Sequence, residues 1–174
     1  LDFWFSDSIE ADIWECLYVL GFSKTGILKH FMMEPDHSYG SRFVVLGAVA
    51  QMAMHHPERK EEIIQWYKDL LAFYISQKEN DRIIDSALNG FLVMNAVDMR
   101  AKELEAEIVE IYKNGLVDED MAGTLKSVLK ELHDPQSEVK KIEITEDIYS
   151  KYKEALNERE SVKQKDRLSI NSSG

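Results

Sequence analysis

Apolar residues recur at i, i+3, i+4 and i+7 along most of the chain, and no stretch keeps the strict alternation of a half-buried strand. The pattern predicts helices from end to end. A first helix is expected from about Ser8 to Leu20, with Asp7 as its N-cap and Gly21 as its stop. A second, from about Lys24 to Met33, is capped by Ser23 and ends before Pro35. A third runs from Arg42 to about His55 after a turn-rich stretch, and a fourth from Pro57, in its preferred first-turn position, to about Gln77. A fifth is expected from Asp81 to about Met94 behind the cap Asn80, a sixth from about Met99 to Asn114 before Gly115, and a seventh from about Glu119 to Leu132 behind Asp118.

Spacing the fourth helix at 100° per residue puts Ile63, Tyr67, Leu70 and Tyr74 at the centre of an apolar arc, flanked by Trp66 and Phe73 on one side and Ile64, Leu71 and Ile75 on the other. The arc exceeds half the circumference, wider than one neighbour requires. The third helix is apolar nearly all round. Short hairpins with such faces bury them by stacking on other hairpins. Ser41-Arg42-Phe43-Val44-Val45 also recurs forty positions later as Asp81-Arg82-Ile83-Ile84, each expected to open a helix, and the odd-numbered helices start near 8, 42, 81 and 119. The predicted fold class is therefore all-α, an α-α superhelix of three to four helical hairpins.

Composition narrows the chemistry. With 44% apolar and 30% charged residues in 174, the chain suits one well-buried domain. The formal charge is −11, and residues 1–133 hold 13 basic against 23 acidic side chains. Such a domain repels phosphate backbones and anionic headgroups, so neither nucleic acid nor membrane is an expected partner. Cys16 is the lone cysteine, which rules out an intrachain disulfide and fits a reducing, cytoplasmic compartment. No signal peptide is readable, and the start at Leu1-Asp2-Phe3-Trp4-Phe5 reads as a chain cut from something longer. The most apolar run, Phe43 to Met54, is interrupted by Gln51 and is shorter than the roughly 20 residues of a membrane span.

Asp36, followed six positions later by Arg42 and then by Val45, Ala48, Val49 and Met52, resembles the HEAT-repeat signature. The resemblance implies a structural role for Asp36, Arg42 and Arg82 in tying successive units together. The wider run from Trp4-Phe5-Ser6-Asp7 through Asp85-Ser86-Ala87-Leu88, Ala101-Lys102-Glu103-Leu104 and Tyr112 to Asp118 resembles an uncharacterised bacterial family of HEAT-like proteins over about residues 1–132. Some longer members carry a Cys-rich SEC-C zinc motif at the C-terminus. With one cysteine this chain departs from them, and no zinc or other cofactor is expected.

The candidate catalytic groups read as structural. His55-His56 precedes Pro57 at a helix end, where imidazoles suit the dipole, and the His-Glu-x-x-His spacing that would place two ligands on one face is absent. Asp118-Glu119-Asp120 sits at a helix start, where carboxylates cap free N–H groups. Asp12 with Glu15, and Glu103 with Glu107, read as solvated helix faces. Gly-x-Ser-x-Gly, Walker and dinucleotide-binding loops do not occur.

The expected role is thus a non-enzymatic scaffold binding another protein or a peptide, preferably basic, in the concave groove lined by the even-numbered helices. Lys24, Arg59, Gln65, Arg100 and Lys102 are expected to be exposed there, with the aromatic Trp66 as an anchor. The rival reading is a small-molecule or metal-dependent enzyme with a site between hairpins, built from scattered carboxylates and histidines. Beyond the helical domain at 1–133, residues 134–160 are expected to include a capping helix near Glu146 to Leu156, and residues 161–174 to form a disordered tail.

Overall fold

The computed structural model describes residues 7–80, 82–144 and 153, with side chains from Ile13 onward. The chain divides into two compact units at Ile142/Glu143, and the first contains every helix discussed below. Of the expected helix near Glu146 to Leu156 only Lys153 is described, and the expected disordered tail lies outside the described residues.

The fold is all-α among the described residues. Helix α1 spans Asp7–Gly21, α2 Thr25–Met33, α3 Tyr39–His55, α4 Lys60–Ser76, α5 Ser86–Asp98, α6 Glu105–Lys113, α7 Glu119–Ala122 and α8 Leu125–His133. Short 3₁₀ turns at Pro57–Arg59 and Lys102–Leu104 lead into α4 and α6. Packing follows a rule of next-but-one neighbours: α1 lies on α3, α3 on α5 and α5 on α7, while α2 lies on α4, α4 on α6 and α6 on α8. Two rows of helices result, one odd-numbered and one even-numbered, joined where α2 and α4 meet α3 and where α8 meets α5.

The predicted arc of α4 is the seam between the rows. Ile63, Tyr67, Leu70 and Leu71 are fully buried, and Tyr74 is nearly so. Its two central tyrosines bring their hydroxyls into the apolar interior and satisfy them on backbone, Tyr67 donating to the Leu46 carbonyl at 2.8 Å and Tyr74 to that of Met32 at 3.0 Å. α3 is enclosed as expected, with Val44 to Met54 buried except for Gly47. A continuous core runs from Met32 through α3, α4 and α5 to Leu132.

Several predicted boundaries are corrected. Ser23 does not cap α2; Lys24 stands at that position and makes no side-chain cap bond. α3 begins at Tyr39, because Ser38 accepts the Ser41 N–H and starts the helix a turn early. Asn80 does not open the fifth helix. Its Oδ1 accepts from the Arg82 N–H and its carbonyl from Ile83 and Ile84, which makes a turn, and the true N-cap is Asp85, bonded to the Leu88 N–H at 3.0 Å. The forty-residue repeat therefore fails as two helix openings: Arg42 lies in a helix and Arg82 in a turn.

The sixth and seventh predicted helices are each broken. After α5 the chain closes with Arg100 N–H on the Val97 carbonyl and Ala101 N–H on that of Ala96, and Arg100 takes φ 57° at a left-handed position that glycine usually fills. Residues 119–132 are interrupted at Gly123, whose φ of 80° and ψ of 175° suit only glycine, and Thr124 caps α8 through the Ser127 N–H.

Candidate docking face

Gln51 is the side chain to explain. It lies in the middle of apolar α3 and is 4% exposed, and a buried amide must find partners. It finds them in the segment after α8. Gln51 Nε2 donates to the Lys140 carbonyl at 3.4 Å, and its Oε1 accepts from the Ile142 N–H at 3.0 Å. The side-chain amide thus pairs with main chain on both sides of one residue, as a neighbouring strand would. One turn later on α3, His55 Nε2 donates to the Ile142 carbonyl at 2.9 Å, which assigns a proton to that nitrogen.

The rest of this strap, 134–142, follows α5. Arg100 donates from Nη2 to the Asp134 carbonyl, and the Lys140 N–H reaches the Asp98 carbonyl at 3.3 Å. Lys140 Nζ stands 2.8 Å from an Asp98 carboxylate oxygen and 3.2 Å from one of Glu131. The hydrogen bond to Asp98 is the main cause that raises the Lys140 pKa above the ordinary lysine value, so the ammonium is its settled form. Beside it opens a cleft of about 250 Å³ lined by Met94, Val97, Met121 and Val128 with Asp98, Glu131 and Lys140 at its polar edge. Met94 and Met121 are 37% and 40% exposed, an apolar, adaptable wall beside charge.

The residues expected to bind a partner are placed differently. Trp66 is 3% exposed, its indole N–H on the Thr25 carbonyl at 2.9 Å; it ties α4 to α2 and offers no anchor. Arg59 is not exposed either. It lies 4.4 Å over the Phe22 ring, bonds the Phe22 carbonyl and pairs with Glu62. Arg100 is held under the strap at Asp134. Lys24, Gln65 and Lys102 are exposed as expected, Gln65 donating to Asp69. Lys24, Arg59 and Trp66 gather where α4 meets the start of α2, whereas Arg100 and Lys102 belong to the turn between α5 and α6.

Of the residues tied to the repeat resemblance, Asp36 pairs with Arg82, and Arg42 is buried with its guanidinium on the Ile83 and Glu34 carbonyls.

Several ionisable groups elsewhere are engaged with neighbouring polar side chains. Glu34 accepts from His37 and His30, and the His37 bond is the main cause that lowers its pKa. His56 bridges the Tyr18 hydroxyl and Glu58, and His133 meets Glu105 at 2.7 Å. Tyr67 and Tyr74 are raised by burial, as is Tyr112, which is pushed up to about 12. Such shifts hold phenols protonated and serve packing, not proton transfer near neutrality. Among the described residues, no group of three or more His, Cys, Asp or Glu side chains is placed to hold a metal ion, and no helix is long and apolar enough to cross a membrane.

Sequence reasoning missed the strap. The available signal was Gln51, a lone polar residue inside the most apolar helix.

Comparison with known families finds a match to the family described as protein of unknown function (DUF1186), over residues 41–163. Neither the curated proteins nor the solved structures contain a match.

Proposed function

The chain belongs to the DUF1186 family, and from that premise we propose that it is a non-enzymatic binding domain, a short HEAT-like solenoid that holds part of another protein against α5, α7 and α8. The next-but-one packing of two helical rows supports the stacked reading, since each hairpin then buries its faces on its neighbours. The observation that carries the binding reading is the cleft beside Lys140, where two half-exposed methionines meet a carboxylate, a lysine and a second carboxylate. Large flexible apolar side chains rimmed by charge are a common composition for adaptable protein surfaces. The net charge of −11 favours a basic partner and disfavours nucleic acid. A cytoplasmic setting, proposed from the lone Cys16, completes the reading.

The test is capture of partners by the immobilised full chain, compared with a Met94→Asp, Met121→Asp variant of unchanged circular dichroism and with a Lys24→Glu, Lys102→Glu variant on the even-numbered side. A protein retained by the unsubstituted chain and lost only with the methionine changes is the expected result. Retention that ignores both methionines, or that fails only with the lysine changes, overturns this placement of the site.

A further inference from the structure

The strap 134–142 is held on α3 and α5 mainly through main-chain and charge contacts. Val139 and Ile142 stay 38% and 51% exposed, and neither lines the neighbouring cleft, so little apolar burial fixes the segment. A segment held this way belongs to the low-stability end of a fold and opens at modest cost. What it covers is organised: a buried amide aimed at main chain, an imidazole one turn along, and two carboxylates that receive the strap's own Lys140.

We propose that this face is a docking groove for a segment of a partner protein that carries a basic residue, and that the chain's own residues 134–142 occupy it as a stand-in. The inference rests on the binding reading above and names the partner's chemistry. On the strap Gln51 and His55 bond only backbone atoms, the other partner of Gln51 being Met54 Sδ at 3.8 Å within α3, and so they accept any side chains there. Selection comes from Asp98 and Glu131, which require a Lys or Arg at the position of Lys140, two residues before the amide N–H that Gln51 accepts. The ligand class is therefore a peptide with a basic residue two positions before an aliphatic one, Lys140 and Ile142 being the internal example, with the Lys141 N–H turned back onto the Val139 carbonyl. A partner competes with the strap, so its apparent affinity is reduced by the fraction of time the groove stands open.

The probe is a fluorescent synthetic peptide with the sequence of residues 134–142, titrated by anisotropy into the full chain and its variants. Lys140→Glu in the chain sets a third carboxylate beside Asp98 and Glu131 and loosens the strap while leaving the groove intact. Lys140→Ala does so without repulsion, should the first variant fold poorly. The loosened chain is expected to bind the peptide about tenfold or more tightly than the unsubstituted chain. Adding Gln51→Leu, or replacing the peptide's own Lys140 with Glu, is expected to abolish binding. A loosened, folded chain that binds nothing up to about 1 mM, or binding indifferent to Gln51→Leu, overturns the groove. Partner capture that still depends on Met94 and Met121 would then leave the broader binding reading standing.

Discussion

Arg82 and Asp36 answer each other across forty-six positions: the Arg82 Nε donates to Asp36 Oδ1 at 2.9 Å and its Nη2 to the other oxygen, while the Asp36 N–H donates to the Arg82 carbonyl. The pair joins the turn after α2 to the turn before α5. Asp36 also sits at φ 65°, where an aspartate is tolerated and most residues are strained.

Two substitutions separate these roles. Asp36→Ala loses the pair and keeps the strained backbone, whereas Asp36→Gly loses the pair and relieves the strain. The glycine variant should melt about 2–4 °C above the alanine variant by calorimetry. Equal melting points would show that the backbone position carries no strain.

Arg42 presents the buried counterpart. At 3% exposure its guanidinium bonds the carbonyls of Ile83 and Glu34, joining the α2 exit to the turn before α5. Arg42→Ala leaves both acceptors without that donor and should destabilise by about 2–4 kcal/mol in chemical denaturation. Arg42→Lys should recover only part of this, because an ammonium does not span two carbonyls as the planar fork does. A cost below about 0.5 kcal/mol for the alanine variant would contradict the bracing role.

Trp66→Ala is expected to cost about 3–5 kcal/mol, as for other buried aromatics. Exposed Lys24→Ala should stay within about 0.5 kcal/mol. Urea titration of both variants checks the pair, and a Trp66→Ala chain of unchanged stability would show that the indole does not hold α4 to α2.

The pH profile follows from depressed carboxyls and one raised lysine. Bonds from His37, Arg82, Arg59 and Lys29 are the leading causes that lower Glu34, Asp36, Glu62 and Asp69 respectively. Their stabilisation is complete above the ordinary carboxyl range near pH 4 and is lost as pH falls through the lower folded values. Lys140 has the opposite sign: its contribution is present below the ordinary lysine value near 10.5 and is lost as pH rises through the raised one. Melting temperature should therefore fall below about pH 4, and a Glu34→Gln, Asp36→Asn, Asp69→Asn variant should flatten that fall. An unaltered acid limb in the triple variant would place the acid sensitivity in other groups.

Helix content and core membership were legible because they depend on periodicity, a local property. Ile63, Tyr67, Leu70 and Tyr74 share one face at any helix start within a residue or two, so the arc survived boundary errors. The breaks were less legible, since a helix end depends on competing bonds. Asn80 and Asp85 are both credible caps, and the choice fell to Asp85 because Ile83 is used in the core, 6% exposed, while its carbonyl receives Arg42.

Exposure was the least legible property. Arg59 and Arg100 read as surface cations, yet each finds a carbonyl and leaves the surface, and no rule of spacing encodes a partner that lies 37 or 34 positions away. An acidic all-α chain with hairpins too apolar to stand alone follows from residue order, because hydrophobic period and charge count are sums over neighbours. That Gln51 serves the segment 89 to 91 positions later and that Lys140 settles between Asp98 and Glu131 emerges with folding, because those bonds exist only once α3, α5 and the strap share one face.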